Sequence, residues 1–227
     1  MDLLFQRHDL VWLSAQGWEQ IRPQIPLIWH SESLRWQYGD WPLVVTRRDH
    51  HLPSEQLNLG LVFLQPDGST QACRVAVSSH HITGHQPCLA LHSILSHVLP
   101  EWQPGLQALH QAGREAGITF RVYGLAAWQF LTGLSYLQPD TEIRLLFRPQ
   151  DQEHLVSGLT ILRHFSSSLP LRGEIVFPGG AAVSWREWLI SDTVAESLHS
   201  QKILMKAFRQ QKLVSRYSLL QLLKSAQ

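Results

Sequence analysis

The chain has 227 residues, only 16% of them charged, and a formal net charge of +1. This composition excludes a disordered chain, a coiled coil and a strongly basic polyanion-binding protein, and it leaves room for one large domain or two small ones. The stretch MDLLFQRHDLVWL is too charged for a signal peptide, no segment is apolar enough to span a membrane, and two cysteines do not form a disulfide framework. We therefore expect a cytoplasmic protein.

Short apolar runs bounded by turn residues fill the first hundred positions, which is typical of strands. The runs DLVWL, WPLVVTRRD and LNLGLVFLQPDGSTQACRVAV predict strands, and the Pro-Asp-Gly within the last run predicts a hairpin turn. Cys73, Val75 and Val77 alternate, so we expect them to share one buried face.

Three other polar groups in this part of the chain invite interpretation. A zinc site is conceivable, but the spacing fits no zinc pattern, and loop histidines are usually solvated; its ligands would be Cys73, His80, His81, His85 and Cys88. The segment 7–9 (Arg-His-Asp) begins the first predicted strand and forms either a surface salt link or ligand contacts. Arg47 and Arg48 carry the same ambiguity, and we expect one of them to face solvent.

The segment LPEWQPG, residues 99–105, contains two prolines and a glycine and predicts a linker between a domain at 1–100 and a domain at 105–227. The second domain begins with a predicted helix that stops at Gly117, followed by a strand that ends at Gly124. LAAWQFLTG predicts a helix, TEIRLLF a strand, DQEHLVSGLTILRHFSSS a helix capped by Asp151, and LRGEIVFPGGAAVSWREWL a hairpin that turns at PGG. This order predicts an α/β (α+β) domain with a small mixed sheet and flanking helices.

The strand, glycine turn, helix and strand around Gly124 are compatible with phosphoryl chemistry. A small residue that opens a helix presents backbone N–H groups to a phosphate, and Mg²⁺ prefers carboxylate oxygens. Asp140, Glu142 and Arg144 alternate at the entry of the second strand, and Glu174 lies on a later one. Spacing alone favours the simpler interpretation, in which Asp140 and Glu142 are turn and strand-entry residues.

Motifs spread in order over nearly the whole chain identify a family. RHDLVWL, PLVV-RR, VYG-AWQ-LTGL-YL, GEI-FP-G-AV-WRE and LMK resemble the malonate decarboxylase holo-acyl-carrier-protein synthases, also called phosphoribosyl-dephospho-coenzyme A transferases. The resemblance implies an N-terminal domain followed by a nucleotidyltransferase-like domain. It also implies that 2′-(5″-triphosphoribosyl)-3′-dephospho-coenzyme A is joined to a serine of the acyl carrier subunit, with release of pyrophosphate.

The resemblance also implies site residues and a metal, Mg²⁺. The catalytic and metal-binding carboxylates would be Glu142, Glu174 and Asp140, and the groups that contact substrate phosphates would be Gly124, Arg144, Arg186 and Lys206. The family pattern has Gly-Ser after the first strand and Ser-Asp-Leu-Asp-Leu-Leu on the next, whereas this chain has Gly124-Leu125 and TEIRLL at 141–146.

Glu142 therefore matches the first aspartate of that pattern, and Arg144 stands where the family has the second, metal-binding one. A register shifted by two would pair Asp140 with Glu142 instead. Arg144 either damages the metal site or itself clamps the triphosphate, so two hypotheses stay open. The chain is a synthase, or it is a catalytically impaired relative that binds the carrier protein or the coenzyme derivative without efficient transfer.

The C-terminal part has no acid after Glu196 but several bases. If 197–210 were helical, Lys202, Lys206 and Arg209 would form one stripe, which is either a solvated face or a dock for an acidic partner. Acyl carrier proteins are typically acidic, so the resemblance gives such a stripe a use; Lys212, Arg216 and Lys224 follow it. Neither nucleic acid nor a membrane is an expected partner.

Overall fold

The computed structural model describes residues 5–192 and 201–224. It contains helices and mixed sheet in two compact units, which confirms the predicted α/β class with two domains. The first unit comprises Met1–Cys88 and Trp128–Tyr136, and the second comprises Leu89–Ala127 and Leu137–Gln227. No helix in the described ranges is long and apolar enough to cross a membrane.

The first unit is built on a five-stranded antiparallel sheet in the order β4-β3-β2-β1-β5. Its strands are β1 (Leu10–Leu13), β2 (Leu43–Val45), β3 (Gln56–Leu64), β4 (Thr70–Ser78) and β5 (Ile82–Gln86). Two helices that the sequence patterns did not indicate, α1 (Ala15–Ile21) and α2 (His30–Tyr38), follow β1. The predicted hairpin joins β3 to β4, and Cys73, Val75 and Val77 are buried together as expected.

Aromatic packing fills the core of this unit. Trp36 makes edge contacts with Trp41, Phe63 and Trp128, the last of these lying in α4 (Leu125–Thr132). The buried Tyr136 hydroxyl donates to the carbonyl of Val62 over 2.8 Å, and its burial raises the pKa of this phenol to about 12. The segment Trp128–Tyr136 is therefore an integral part of the first unit, although it comes late in the chain.

The second unit is built on a seven-stranded sheet in the order β12-β11-β10-β9-β8-β7-β6, in which only the pair β8–β9 is parallel. Its strands are β6 (Leu89–Ala90), β7 (Arg121–Tyr123), β8 (Ile143–Phe147), β9 (Leu171–Val176), β10 (Ala182–Ser184), β11 (Lys202–Lys206) and β12 (Gln211–Ser215). The helices are α3 (Gln103–Glu115), the start of α4, α5 (Gln152–Phe165), α6 (Trp185–Asp192) and α7 (Arg216–Lys224). As predicted, the Asp151 side chain caps α5 by accepting from the His154 N–H.

The two faces of this sheet differ because side chains alternate along each strand. One face, the helix-covered face, carries Leu145 and Phe147; the Phe147 ring contacts Phe120 and lies against Gly158 of α5. The other, the polar face, follows from the register of the paired strands. Its residues are Arg121, Tyr123, Arg144, Leu146, Arg172, Glu174, Val176, Ala182, Ser184 and Lys206.

The segment 99–105, expected as a linker, lies inside the second unit. Pro100 begins a 3₁₀ helix over Pro100–Trp102, and Pro104 lies in the first turn of α3. Proline is well tolerated in the first turn of a helix, because the N–H that it lacks has no intrahelical partner there. The units instead divide between Cys88 and Leu89, since β6 already pairs with β7.

Two secondary-structure predictions in the C-terminal part are wrong. The segment WREWL belongs to helix α6 rather than to the hairpin, which ends with β10. The helix expected at 197–210 is replaced over Lys202–Lys206 by strand β11, and residues 197–200 lie outside the described residues. In β11 the alternate residues Ile203 and Met205 are buried, and this period of two belongs to a strand.

Candidate functional site

The glycine turn after β7 lies against Arg144. Gly124 has a φ of +78°, in the left-handed region that favours glycine, and α4 begins at the next residue. Tyr123 pairs with Arg144 across β7 and β8, and a Cβ built on Gly124 would lie 3.4 Å from the Cδ of Arg144. The turn and the arginine thus form one continuous part of the polar face.

Glu142 is held by two arginines rather than left open for a metal. Its Oε1 accepts from the Nε of Arg172 over 2.8 Å, and its Oε2 lies 3.7 Å from an Nη of Arg144. Arg172 pairs directly with Arg144 across the parallel strands β8 and β9, which brings the two guanidinium groups to the same face. All three side chains are between 41% and 54% exposed, so a ligand from solvent can reach them.

Arg186 of α6 completes this group. Its Nε donates to the carbonyl of Leu171 over 3.1 Å, next to Arg172, and its guanidinium lies 5.2 Å from the ring centre of Trp185. Partial burial, followed by the charge of Arg172, lowers the pKa of Arg186 from its ordinary value, while the Glu142 carboxylate opposes this shift. Arg186 is therefore within electrostatic range of both residues and stays protonated.

We call Arg144, Arg172 and Arg186, together with Glu142, the arginine cluster. Two guanidinium groups contact the Glu142 carboxylate and the third, that of Arg186, lies within its electrostatic range, so the cluster carries a formal excess of two positive charges. Guanidinium groups bind carboxylate and phosphate oxygens with paired hydrogen bonds, and charge-assisted bonds of this kind are among the stronger ones in proteins. The arrangement suits a ligand that carries several negative charges close together.

The other expected site residues do not join the cluster. Asp140 is exposed in a turn before β8, which begins only at Ile143, so Asp140 is not a strand residue. Glu174 is buried and shares the polar face with Glu142, but the register sets the two residues about 13 Å apart along the strands, at about 3.3 Å per residue. Lys206 also shares this face, two strands away from β9.

The carboxylates therefore do not fit a protein-held Mg²⁺ site. Among the residues that the structure describes, no group of three or more His, Cys, Asp or Glu side chains is placed to hold a metal ion. Both oxygens of Glu142 already face guanidinium groups, which repel a cation. The predicted set of Glu142, Asp140 and Glu174 is not brought together here.

Comparisons with known proteins agree with the motifs. Residues 90–217 match the family model described as the phosphoribosyl-dephospho-CoA transferase MdcG C-terminal domain, and residues 6–87 match the model of the N-terminal domain. The chain belongs to this family. A phosphoribosyl-dephospho-CoA transferase of Xanthomonas campestris pv. campestris (strain 8004) is 32% identical over 189 residues, covering 80% of this chain and 84% of the relative. No solved structure matches the chain significantly.

Two further relatives carry the same name and span similar shares of the chain. The protein of Xanthomonas axonopodis pv. citri (strain 306) is 30% identical over 223 residues, or 94% of this chain and 95% of the relative. That of Bradyrhizobium diazoefficiens is 29% identical over 185 residues, or 80% of each. The gap between the two family models, at 88–89, coincides with the division between the two compact units.

In the N-terminal domain of this transferase, the Arg-His-Asp segment is not a surface salt link. Asp9 is buried, and its Oδ2 accepts from the Gln6 N–H and lies 2.8 Å from the Nε2 of His85 on β5. His8 has a φ of +74°, an unusual conformation for a residue with a side chain. Arg47 is exposed, whereas the buried Arg48 donates to the carbonyls of Gln56, Leu52 and Pro53.

Sequence reasoning missed Arg172, although a signal for it was present. Arg172 and Glu174 are two residues apart on β9, so they share a face by alternation alone. What alternation does not reveal is the parallel pairing of Arg172 with Arg144, 28 residues earlier in the chain. The interpretation of the C-terminal bases as one exposed set also needs correction. Arg216 is buried: its guanidinium lies 4.4 Å from the ring centre of Trp188 and donates a hydrogen bond to the side-chain oxygen of Gln201.

Proposed function

We propose that this transferase attaches 2′-(5″-triphosphoribosyl)-3′-dephospho-coenzyme A to a serine of the acyl carrier subunit of malonate decarboxylase. The serine oxygen forms a bond to the ribose-linked phosphorus, and the bond from that phosphorus to the departing pyrophosphate breaks. The serine proton passes to solvent, and a phosphodiester remains. The observation that carries this proposal is the arginine cluster beside Gly124, whose excess positive charge matches a triphosphate.

Phosphoryl and nucleotidyl transfer require mainly that the reacting groups are positioned and that the negative charge of the phosphates is stabilised. Arg172 and Arg144 supply two cations on the polar face, where the triphosphate meets them directly from solvent, and Arg186 of α6 adds a third positive charge near Arg172. Glu142 orients two of these guanidinium groups through its two oxygens. We assign no step to Mg²⁺, since its expected carboxylate ligands are not assembled.

Exposed bases at the end of the second unit support docking of an acidic carrier protein. Lys202 is exposed on the polar-face side of β11, and Arg209 is exposed in the turn that follows this strand. Opposite charges accelerate encounter and fix orientation more than they add affinity. We expect Lys202→Gln combined with Arg209→Gln to raise the KM for the carrier several-fold, with kcat unchanged and a weaker dependence on salt.

The test is a loading assay on apo-carrier protein, followed by intact mass. The wild-type protein is expected to add the mass of the phosphoribosyl-dephospho-coenzyme A group to one serine and to release one pyrophosphate. Arg172→Gln is expected to lower the rate at least about tenfold, because a hydrogen bond to a charged group contributes about 1.5–3 kcal/mol. Arg163→Gln, an exposed arginine on α5, is the matched control and is expected to load normally.

A second candidate is a relative that binds the coenzyme derivative without efficient transfer. It is favoured by Arg144, which stands where the family pattern has an aspartate, and by the pairing of Glu142 with arginines. For this candidate the wild-type protein would bind the derivative in calorimetry, lose affinity on Arg172→Gln, and yet leave the carrier unloaded. Absence of both binding and loading would contradict both candidates.

A further inference from the structure

A separate cationic cavity lies next to β6 in the second unit. It has a volume of about 370 Å³ and is lined by residues at the start of the segment 91–97, on α3 and just before β7. This volume is at the lower end of the range of about 300–1,000 Å³ for small-molecule sites. Its lining residues are Ala90, Leu91, His92, His110, Arg114, Ile118, Thr119 and Phe120.

The titratable and charged groups of this lining are two imidazoles and one guanidinium, without an acid. The rings of His92 and His110 have centres 5.6 Å apart, and Arg114 follows His110 by one turn of α3. None of these three side chains forms a hydrogen bond or an ion pair with a residue that the structure describes. These three polar side chains therefore line one cavity at the surface, where His92 and Arg114 are exposed and all donors are available to a ligand.

The charge of the lining selects the class of ligand. Arg114 is permanently protonated, so it repels any metal ion that would otherwise bind between the two imidazoles. Partial burial, and then the nearby His92 and Arg114, lower the pKa of His110 from its ordinary value. A bound anion raises the pKa of His110 again, since it attracts the positive charges that otherwise repel one another in the cavity.

The cavity also lies apart from the arginine cluster. Its helix α3 packs against the helix-covered face of the sheet, because a Cβ built on Gly113 would lie 3.0 Å from the ring of Phe120, which contacts Phe147. Arg144 and Arg172 alternate to the opposite, polar face. A ligand in the cavity is thus separated from the cluster by the sheet.

We propose that His92, His110 and Arg114 form a second anion site, which binds the phosphate group of a small organic phosphate. Arg114 and the two imidazoles donate to the phosphate oxygens. The cavity has more room than a bare phosphate needs, so the remaining space receives the organic part of the ligand. This site does not depend on the transfer reaction proposed above.

The test uses the full chain with Arg144→Gln and Arg172→Gln, which weaken phosphate binding at the arginine cluster. Inorganic phosphate and phenyl phosphate are titrated while the imidazole resonances of His92 and His110 are followed by NMR. We expect saturable shifts of both rings, with phenyl phosphate binding more tightly than inorganic phosphate. Equal affinity for the two would assign the site to free phosphate and overturn the organic-phosphate proposal.

Variants then locate the binding. Arg114→Gln is expected to weaken binding at least about tenfold, as the loss of a charge-assisted hydrogen bond does, and Arg163→Gln is the matched control on α5. His110→Gln is compared with His97→Gln, whose side chain does not line the cavity. An equal loss in a variant and its control, or no saturable shift in the rings, would overturn the site.

A pH series with sulfate adds an independent measurement, because sulfate remains a dianion across the range in which histidine titrates. Binding is expected to strengthen as the pH falls and His110 becomes protonated, while Arg114 contributes at every pH. Binding that does not change with pH would overturn the role of the imidazoles. Saturable binding of Zn²⁺ to both rings, with none of sulfate, would show a metal site and contradict the proposal.

Discussion

The two faces of the seven-stranded sheet are formed by the same strands, yet they place opposite demands on their residues. On the helix-covered face, Leu145 and Phe147 are fully buried, and two glycines leave no room for a side chain. On the polar face, Arg144 and Arg172 are about half exposed and make salt bridges of a kind that contributes only about 0–1 kcal/mol to stability. The first face is core, whereas the second, although Leu146 and Val176 on it are buried, presents charge at Arg144 and Arg172 that folding does not require.

This difference carries functional information. Placing like charges side by side on neighbouring strands is unfavourable in itself, and the pairing of Arg144 with Arg172 across β8 and β9 is such a case. One carboxylate, Glu142, offsets only part of the repulsion. Binding of a polyanionic ligand accounts for this pairing of like charges, whereas the stability of the fold does not.

The largest effect is expected at Gly173, on the helix-covered face. Its φ of +135° is rarely adopted by other residues, and a Cβ there would overlap the carbonyl oxygen of Leu145 on the neighbouring strand. We expect Gly173→Ala to lower the free energy of unfolding by about 3–5 kcal/mol, measured by urea denaturation. Gly179→Ala is the control: its φ is also positive, but the space around it is open, so a loss of only about 1 kcal/mol is expected.

A smaller effect is expected at Gly158 on α5, where a Cβ would overlap the buried ring of Phe147. Gly158→Ala is expected to cost about 1–3 kcal/mol, the usual range for overpacking. Adding Phe147→Leu makes room for the methyl group, so the double variant is expected to be less destabilised than the sum of the two single ones. Strict additivity in urea denaturation would show that the two residues do not share this contact.

The helix-covered face was easier to predict from sequence than the polar face. ITFRVYG alternates apolar and polar residues and TEIRLLF contains a short apolar run, so their strands, the turn at Gly124 and the helix after it follow from local pattern alone. The arginine cluster requires the parallel register of β8 and β9, which joins residues 28 positions apart and leaves no local mark. The prediction of a helix over 202–206 was wrong for a related reason: bases four residues apart lie on one face of a helix and also on one face of a strand.

Arg172→Gln tests the polar face directly. It removes the shorter of the two salt bridges to Glu142, between half-exposed side chains, so the free energy of unfolding is expected to change by less than about 1 kcal/mol. Affinity for the triphosphoribosyl derivative is expected to fall at least about tenfold in calorimetry. A loss of stability as large as that of Gly158→Ala, with affinity retained, would make Arg172 a structural residue and remove the contrast between the faces.

Arg144→Asp is expected to have the smallest effect on folding, because Arg144 is 54% exposed and its only ion pair shown here, with Glu142, is 3.7 Å long. The substitution places an acid where the resemblance to the family implies one, and it lowers the formal charge of the cluster from +2 to zero. If the three arginines bind the triphosphate, affinity and transfer both fall, and Arg144→Gln shows the same loss to a lesser degree. If the position is instead a damaged metal site, only Arg144→Asp raises transfer, and the gain depends on Mg²⁺.

We expect the loss of affinity and transfer, because Arg172 remains beside Glu142 after the substitution and continues to exclude a cation. Transfer rate and affinity, each measured across an Mg²⁺ titration for both variants, separate the two outcomes.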